Sequence, residues 1–182
     1  MKRLDWKLIA GLATVLILSV AAFLVVMAPA SVAFSFIRDD LARDAPGVLV
    51  TGVGGTVWNG AANVEFEGFP ASVLTWSEVD LSPFDREMQT LFRLSAPSHN
   101  VYGAIRASET LLHLADTTGY IDHTWVNPWG ANYGLSFAGG VNVTRIELTA
   151  NRRWLTALDA NLNWTGGTVR YTAYGETQTY TL

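Results

Sequence analysis

The chain has 182 residues, a formal net charge of −4 and no cysteine. Without cysteine there can be no disulfide, thiolate metal site or cysteine nucleophile, so the fold must be held by burial and hydrogen bonds. Beyond residue 37 the chain carries nine arginines, no lysine and fifteen acidic residues, a net charge of −6. A surface of that sign repels nucleic acid and anionic lipid, and we expect no nucleic-acid partner.

An uncharged stretch of twenty residues, 8–27, follows a short basic amino terminus with three basic residues and one acid. Twenty helical residues are long enough to cross the ~30 Å hydrocarbon core of a bilayer. Basic residues beside a span are retained in the cytoplasm. We therefore predict a cytoplasmic amino terminus at 1–7, a single transmembrane helix at 8–28, and the rest of the chain across the membrane.

A cleaved secretory signal is the alternative interpretation of this stretch. Residues 28–30 (Ala-Pro-Ala) and 31–33 (Ser-Val-Ala) both place small residues where a signal peptidase cleaves. The apolar cores of signal peptides usually have about 7 to 15 residues, fewer than this run has, which favours a retained anchor. Both interpretations export the remainder of the chain.

A helical stalk or linker is predicted for residues 29–46. Val32, Phe36, Ile37 and Leu41 recur at helical spacing, and the Pro-Gly pair at 46–47 ends the pattern. The stalk is either a simple spacer or a helix that pairs with the stalk of another membrane protein.

Beyond residue 47 the pattern changes to alternating apolar and polar residues, which is typical of half-buried strands. The alternating segments are residues 62–67, 88–95, 101–107, 141–148 and 169–173. In 141–148 the alternation changes phase at Thr144 and Arg145, which predicts a β-bulge. Turn-forming clusters separate the segments at 68–70, 82–83, 97–98, 127–128, 139–140 and 166–167.

These patterns predict an all-β domain over residues 47–182, a curved and mainly antiparallel sheet of eight to ten short strands. No long amphipathic helix is expected there, and residues 152–158 make at most a turn or two of helix.

Two segments of the chain resemble each other. Residues 51–60 and 159–167 each bring a strand to a tryptophan, Trp58 or Trp164, followed by a small polar residue and glycine. We expect a buried indole at a strand end and a tight glycine turn after it. Alternatively, the seven tryptophans of the chain line an apolar groove or a protein-binding face.

The chain resembles the type II secretion system protein N family of bacterial general secretion pathways. The resemblance rests on the basic start, the single span, and the motifs at 54–60 (Gly-Gly-Thr-Val-Trp-Asn-Gly), 74–76 (Leu-Thr-Trp), 81–84 (Leu-Ser-Pro-Phe) and 162–167 (Leu-Asn-Trp-Thr-Gly-Gly). It covers 1–182, with 57–60 the most specific part and Trp164 the next. The family's usual closing section does not follow, so we expect a fragment or a short form.

The resemblance implies an inner-membrane accessory component of the machine that moves folded proteins through the outer membrane. It implies a single-pass protein with its bulk in the periplasm, whose partners are other type II secretion subunits in the inner membrane and periplasm. It supplies no catalytic residue.

The residues themselves also argue against an enzyme. His99, in a Pro-Ser-His-Asn turn, is expected to be exposed, and His113 to be half-buried with a hydrogen-bond partner. Asp122 and His123, if adjacent on a strand, point to opposite faces and form no dyad. No zinc pattern, nucleophile elbow or phosphate loop is present. We predict no catalytic, metal-binding or cofactor-binding residue and no cofactor.

Three functions are compatible with the sequence. The first is a membrane-tethered docking subunit of a secretion assembly, and the second a carrier or conduit whose apolar sheet face binds lipid or another hydrophobic ligand. The third is a secreted β-domain released by signal cleavage. We favour the first because the family resemblance supports it.

Overall fold

The computed structural model describes residues 6–82, 86–151, 154–173 and 176–181. Three helices and nine strands lie in this part of the chain. In chain order they are α1 (Trp6–Val26), α2 (Ala30–Asp44), β1 (Val48–Gly55), β2 (Gly60–Phe66), β3 (Ser72–Ser82), β4 (Glu87–Ala96), β5 (His99–Ala107), β6 (Leu111–Asp122), α3 (His123–Ala131), β7 (Leu135–Asn151), β8 (Leu155–Ala173) and β9 (Glu176–Thr181).

The two amino-terminal helices are separated by a short break at Pro29. Proline lacks the backbone N–H and restricts the residue before it, so it ends α1 and precedes the first turn of α2. α2 ends before Pro46 for the same reason. Within the described residues, no helix combines the length and the apolar character that crossing a membrane requires.

The nine strands form one open sheet whose strand order is the chain order, β1 to β9. Every neighbouring pair is antiparallel. The predicted antiparallel sheet is therefore confirmed, and the nine strands fall within the expected eight to ten. The predicted turns at 68–70 and 97–98 are also present.

The longest strand pair, β7 with β8, contains both a confirmed prediction and a wrong one. The register shifts between Val143 and Arg145, where the sequence predicted a β-bulge. The glycine pairs at 139–140 and 166–167, predicted to separate strands, instead lie inside β7 and β8. Gly139 has a φ of 91°, and a Cβ there would lie 2.8 Å from the carbonyl oxygen of Gly166. These glycines therefore allow the two long strands to approach closely where their pairing is irregular. Neither strand makes a turn there.

The helix α3 corrects the predicted turn at residues 127–128 and the expectation that the region after residue 47 is purely β. The backbone N–H of Thr124 donates to Asp122 Oδ1 over 2.8 Å, so Asp122 caps the helix and starts it. Pro128 lies within this helix. The turn or two of helix that was the most allowed for 152–158 is not formed from Leu155 onward, where β8 begins; residues 152–153 lie outside the described part.

One face of the sheet is apolar across most of its width. Directly opposed residues share a face, and a row of them crosses the sheet from Ile105 through Leu114 and Leu148 to Leu158. α2 packs on β1, and α3 on β6 and β7. No described helix packs extensively on β3, β4 or β5. The buried apolar residues of the described part are Ala30, Ala62, Val64, Ala115 and Val143.

Candidate functional site

An apolar groove lies between α2 and the first four strands. Its volume is about 450 Å³, which is within the usual size range of ligand pockets. Its lining side chains are almost all apolar: Ala30, Ala33, Phe34, Ile37, Val50, Val53, Val57, Ala62, Val64, Leu74, Trp76 and Met88. We call this the α2 groove.

The turn between β1 and β2 holds the helices at one end of the α2 groove. Val57 donates its backbone N–H to the carbonyl of Ala28 over 3.0 Å, and Pro29 forms an isolated bridge with Thr56. The Trp58 indole N–H donates to the carbonyl of Val25 over 2.9 Å. The position of α2 over the sheet is therefore set by the Val-Trp-Asn-Gly motif.

Glycine is required at position 60 of that motif because of Trp76 on β3. Trp58, which lies in the motif itself, is not the reason. Gly60 pairs directly with Trp76 on β3, and a Cβ on Gly60 would overlap the Trp76 ring. Trp76 donates its indole N–H to the carbonyl of Thr56 over 3.3 Å. Trp58 itself is half-buried in the turn, so the predicted buried indole at this strand end is wrong.

The second tryptophan motif lies in the middle of β8, away from a strand end. Trp164 is half-buried and donates its indole N–H to the carbonyl of Ala138 over 3.1 Å. Its ring lies 5.8 Å from that of Phe137, and a Cβ on Gly167 would lie 2.7 Å from it. The predicted buried indole at a strand end and the tight turn after it are therefore wrong here as well; glycine at residue 167 makes room for the ring on the same strand.

His99 is buried, with 2% of its surface exposed, which contradicts the predicted exposure. Its Nε2 lies 3.0 Å from Ser72 Oγ and its Nδ1 lies 3.2 Å from Ser98 Oγ. Trp125 of α3 covers the ring at a centroid distance of 5.7 Å. Burial lowers the pKa of the His99 imidazole, which favours its neutral form.

The Ser72–His99 pair has the residue types of a nucleophile and its base, but its hydrogen bonds argue against that role. Ser72 Oγ lies 3.1 Å from the carbonyl of Pro70, which can only accept. When the hydroxyl proton of Ser72 is donated to Pro70, His99 Nε2 is the donor to Ser72 Oγ and carries its own proton. A base would need a lone pair at that atom. Both residues are also buried.

Of the other two histidines, His113 confirms its prediction and His123 does not. His113 is half-buried with Nδ1 3.0 Å from Thr149 Oγ1, as the sequence predicted. His123 Nδ1 lies 3.1 Å from Asp122 Oδ1, although the two were expected to point apart. They meet because the chain changes from strand to helix between them.

The Asp122 carboxylate acts as the cap of α3. The backbone N–H of Thr124 is the main cause of a lowered pKa at Asp122, which keeps this carboxyl ionised. Among the described residues, no group of three or more His, Asp or Glu side chains is placed to hold a metal ion.

Comparison with known proteins gives one match. A model of the family described as type II secretion system (T2SS), protein N matches residues 46–181. Searches of curated proteins and of solved structures found no match. The matched range includes all nine strands and both tryptophan motifs, and it leaves out α1 and α2.

Proposed function

Since this chain belongs to the type II secretion system protein N family, we propose that it is a non-catalytic accessory component of that system. In this proposal it takes part in the export of proteins across the outer membrane, and its sheet lies in the periplasm. The family match over the whole sheet is the observation that carries the proposal.

The surface proposed for docking other secretion subunits is the exposed apolar part of α2 at the mouth of the α2 groove. Phe36 is 79% exposed and Ile37 is 57% exposed, beside the mouth of the α2 groove. Large exposed apolar side chains that are neighbours on a helix are typical of a surface that a partner covers.

The role in secretion is tested by complementing a strain that lacks the protein with the Phe36→Asp/Ile37→Asp double variant. We expect secretion to fall and capture of other secretion subunits by crosslinking to be lost, because two charges enter an apolar contact. Asp39→Ser, on the same helix, is the matched control and should secrete normally. Normal secretion by the strain without the protein would overturn the proposal.

We also propose that residues 8–28 anchor the chain in the inner membrane, with the amino terminus in the cytoplasm. The exposure of α1 supports this anchor. Val15, Leu16, Ile17 and Leu18 are each 63–68% exposed. Four consecutive helical positions cover all sides, so α1 is apolar all round.

The anchor is tested with a Val15→Arg/Leu16→Arg variant and sodium carbonate extraction of membranes. Each charge at the middle of a bilayer costs about 2.5 to 3.5 kcal/mol, so we expect membrane retention to be lost. The exchange Val15→Leu/Leu16→Val is the control and should remain inserted. Membrane retention of the arginine variant would refute the anchor, and a mature chain beginning after Ala30 or Ala33 would indicate a cleaved signal.

A carrier of lipid or another hydrophobic ligand is the second candidate, and the observation that favours it is the α2 groove. A photoreactive phenylalanine at Leu74, which lines the groove, should then form adducts with the mass of a lipid in living cells. Val73 points to the opposite face of the same strand and is the matched control. Protein adducts at Leu74 would favour docking in this groove and would argue against a carrier.

A further inference from the structure

The break between α1 and α2 coincides with a sequence that a signal peptidase recognises. Ala28 and Ala30 follow the apolar run and place small side chains at alternate positions. Cleavage there hydrolyses the peptide bond between Ala30 and Ser31: one water adds across the bond and leaves a carboxylate on Ala30 and an amino group on Ser31. Peptidases cut segments that are exposed and locally unfolded, so the structure around this bond decides whether it can be cut.

The backbone on the amino-terminal side of this bond is engaged in the folded chain. The carbonyl of Ala28 accepts the backbone N–H of Val57 over 3.0 Å, and Pro29 forms its bridge with Thr56. The carbonyl of Pro29 also accepts the backbone N–H of Val32 over 3.2 Å, in the first turn of α2. A peptidase therefore cannot hold this segment in an extended form unless these contacts are first broken.

The two small side chains that a signal peptidase would recognise are covered as well. Ala30 is 4% exposed, and Ala28 is half-buried. Ala30 lines the α2 groove together with Val57 and Trp76, so it lies against the sheet. The recognition pockets of a peptidase can therefore reach Ala30 only after this segment has left the sheet.

We propose that the Ala30–Ser31 bond is a conditional signal-peptidase site, which is closed when the turn between β1 and β2 folds against it. In the folded chain the bond is blocked, and α1 stays attached to the sheet. In a chain whose turn does not form, the bond is cut and the sheet is released from α1. The inference rests on the proposed anchor, since an apolar segment in the inner membrane is what presents the chain to a signal peptidase.

The residues that close the site follow it closely in the chain. Thr56 and Val57 both lie within 30 residues of the groups that they contact at 28–29. Short loops close with a small loss of entropy, and hairpins form within microseconds. Gly60 and Trp76 complete the turn, because only glycine leaves room for the ring on the neighbouring strand. The site can therefore close when β1 to β3 have formed, before the rest of the sheet exists.

The proposal is tested by mass spectrometry of the full chain, expressed in bacteria and separated into membrane and soluble fractions. Gly60→Ala should open the site, because a Cβ there would overlap the Trp76 ring. Gly54→Ala is the matched control, since it makes the same exchange on β1, where a Cβ would meet nothing within 4 Å. We expect roughly tenfold more chain beginning at Ser31 from Gly60→Ala than from the native chain or the control, because cleavage follows the population of the open form.

Two further variants separate this site from general unfolding. Adding Ala30→Leu to Gly60→Ala should remove the product that begins at Ser31, because a signal peptidase requires a small residue before the bond. Gly167→Ala places a Cβ 2.7 Å from the Trp164 ring on β8, which is not a neighbour of β1 or β2, and should stay uncleaved. Cleavage of Gly167→Ala to the same extent as Gly60→Ala would show that the turn does not control the site and would overturn the proposal.

The fractions distinguish a failure of this site from a failure of the anchor. A native chain in the membrane with no Ser31 product from Gly60→Ala would refute the cleavage site alone. Equal cleavage of the native chain and Gly60→Ala, or a product that persists with Ala30→Leu, would refute it as well. An uncleaved native chain outside the membrane would refute the anchor and this proposal together.

Discussion

The indole N–H of Trp58 donates a 2.9 Å hydrogen bond to the carbonyl of Val25, 33 residues earlier in the chain. Carbonyl groups in the last turn of a helix have no partner within the helix. The turn between β1 and β2 therefore supplies a partner for the end of α1, and Val57 does the same for Ala28 just beyond it. This is the direct link between α1 and the sheet.

Replacing Trp58 with phenylalanine tests this link. The ring is largely kept while the donor is lost, so the free energy of unfolding should fall by about 0.5 to 1.5 kcal/mol. The amide of Val57 should also exchange faster, because the neighbouring bond to Ala28 is loosened. Denaturant titration and hydrogen exchange of the full chain measure both effects. Trp154→Phe is the control, since that side chain is 74% exposed, and it should leave both unchanged.

The contact between Trp164 and Gly167 predicts a coupled pair of substitutions. A Cβ at residue 167 would lie 2.7 Å from the indole, so Gly167→Ala should destabilise the sheet by about 1 to 3 kcal/mol. In a Trp164→Ala background most of this cost should vanish, because the ring is gone. Gly54→Ala, where a Cβ would meet nothing within 4 Å, is the control. Equal costs in both backgrounds, measured by urea denaturation, would show that the ring is not the obstacle.

The buried His99 predicts a dependence of stability on pH. Burial lowers the pKa of the folded imidazole below its unfolded value of about 6.5, so the unfolded chain takes up the proton first. The contribution of His99 is therefore complete above the unfolded pKa and is lost as the pH falls through the folded pKa. Comparing unfolding free energies of the native chain and His99→Gln at pH 8 and at about pH 5 measures it. The difference between the two chains should shrink at the lower pH; a constant difference would contradict this.

Asn127 joins α3 to β7 through its side-chain amide. Its Oδ1 accepts the backbone N–H of Phe137 over 2.7 Å, and its Nδ2 donates to the carbonyl of Phe137 over 3.0 Å. Asn127→Ala leaves both half-buried backbone groups unpaired and should cost about 1 to 3 kcal/mol in thermal or denaturant unfolding. Asn127→Asp keeps the acceptor and should cost less than alanine. Asn132→Ala, at the exposed end of the helix, should cost little.

The local pattern of the sequence predicts the sheet but leaves out what covers it. Alternation identifies strands, and the phase change at Thr144 locates a bulge, because both depend on neighbouring residues. The local pattern misses α3 because Pro128 and Gly130 are poor helix formers. The cap at Asp122 and the packing of the helix on β6 and β7 together stabilise it. Asp122, a residue type preferred at helix N-caps, is the available signal for that cap.

The candidate site could not be read from the sequence because it depends on contacts between distant segments. His99 is buried by Trp125 and Ser72, both more than twenty residues away. The α2 groove depends on the turn at residues 57–58, which bonds to the helical segment 29–33 residues earlier, and on the packing of α2 on β1. In the same way, glycine at position 60 leaves room for Trp76 of the next strand, although the motif suggested that it accompanies Trp58.

The agreement between strand order and chain order has a consequence for how the molecule assembles. Each strand pairs with the one made just before it, so every ladder closes a short loop and the entropy lost at each step is small. Sheets with such local pairing form faster than those that join remote strands. A polypeptide delivered amino end first can therefore add one hairpin after another as it emerges, and no early strand waits exposed for a late one.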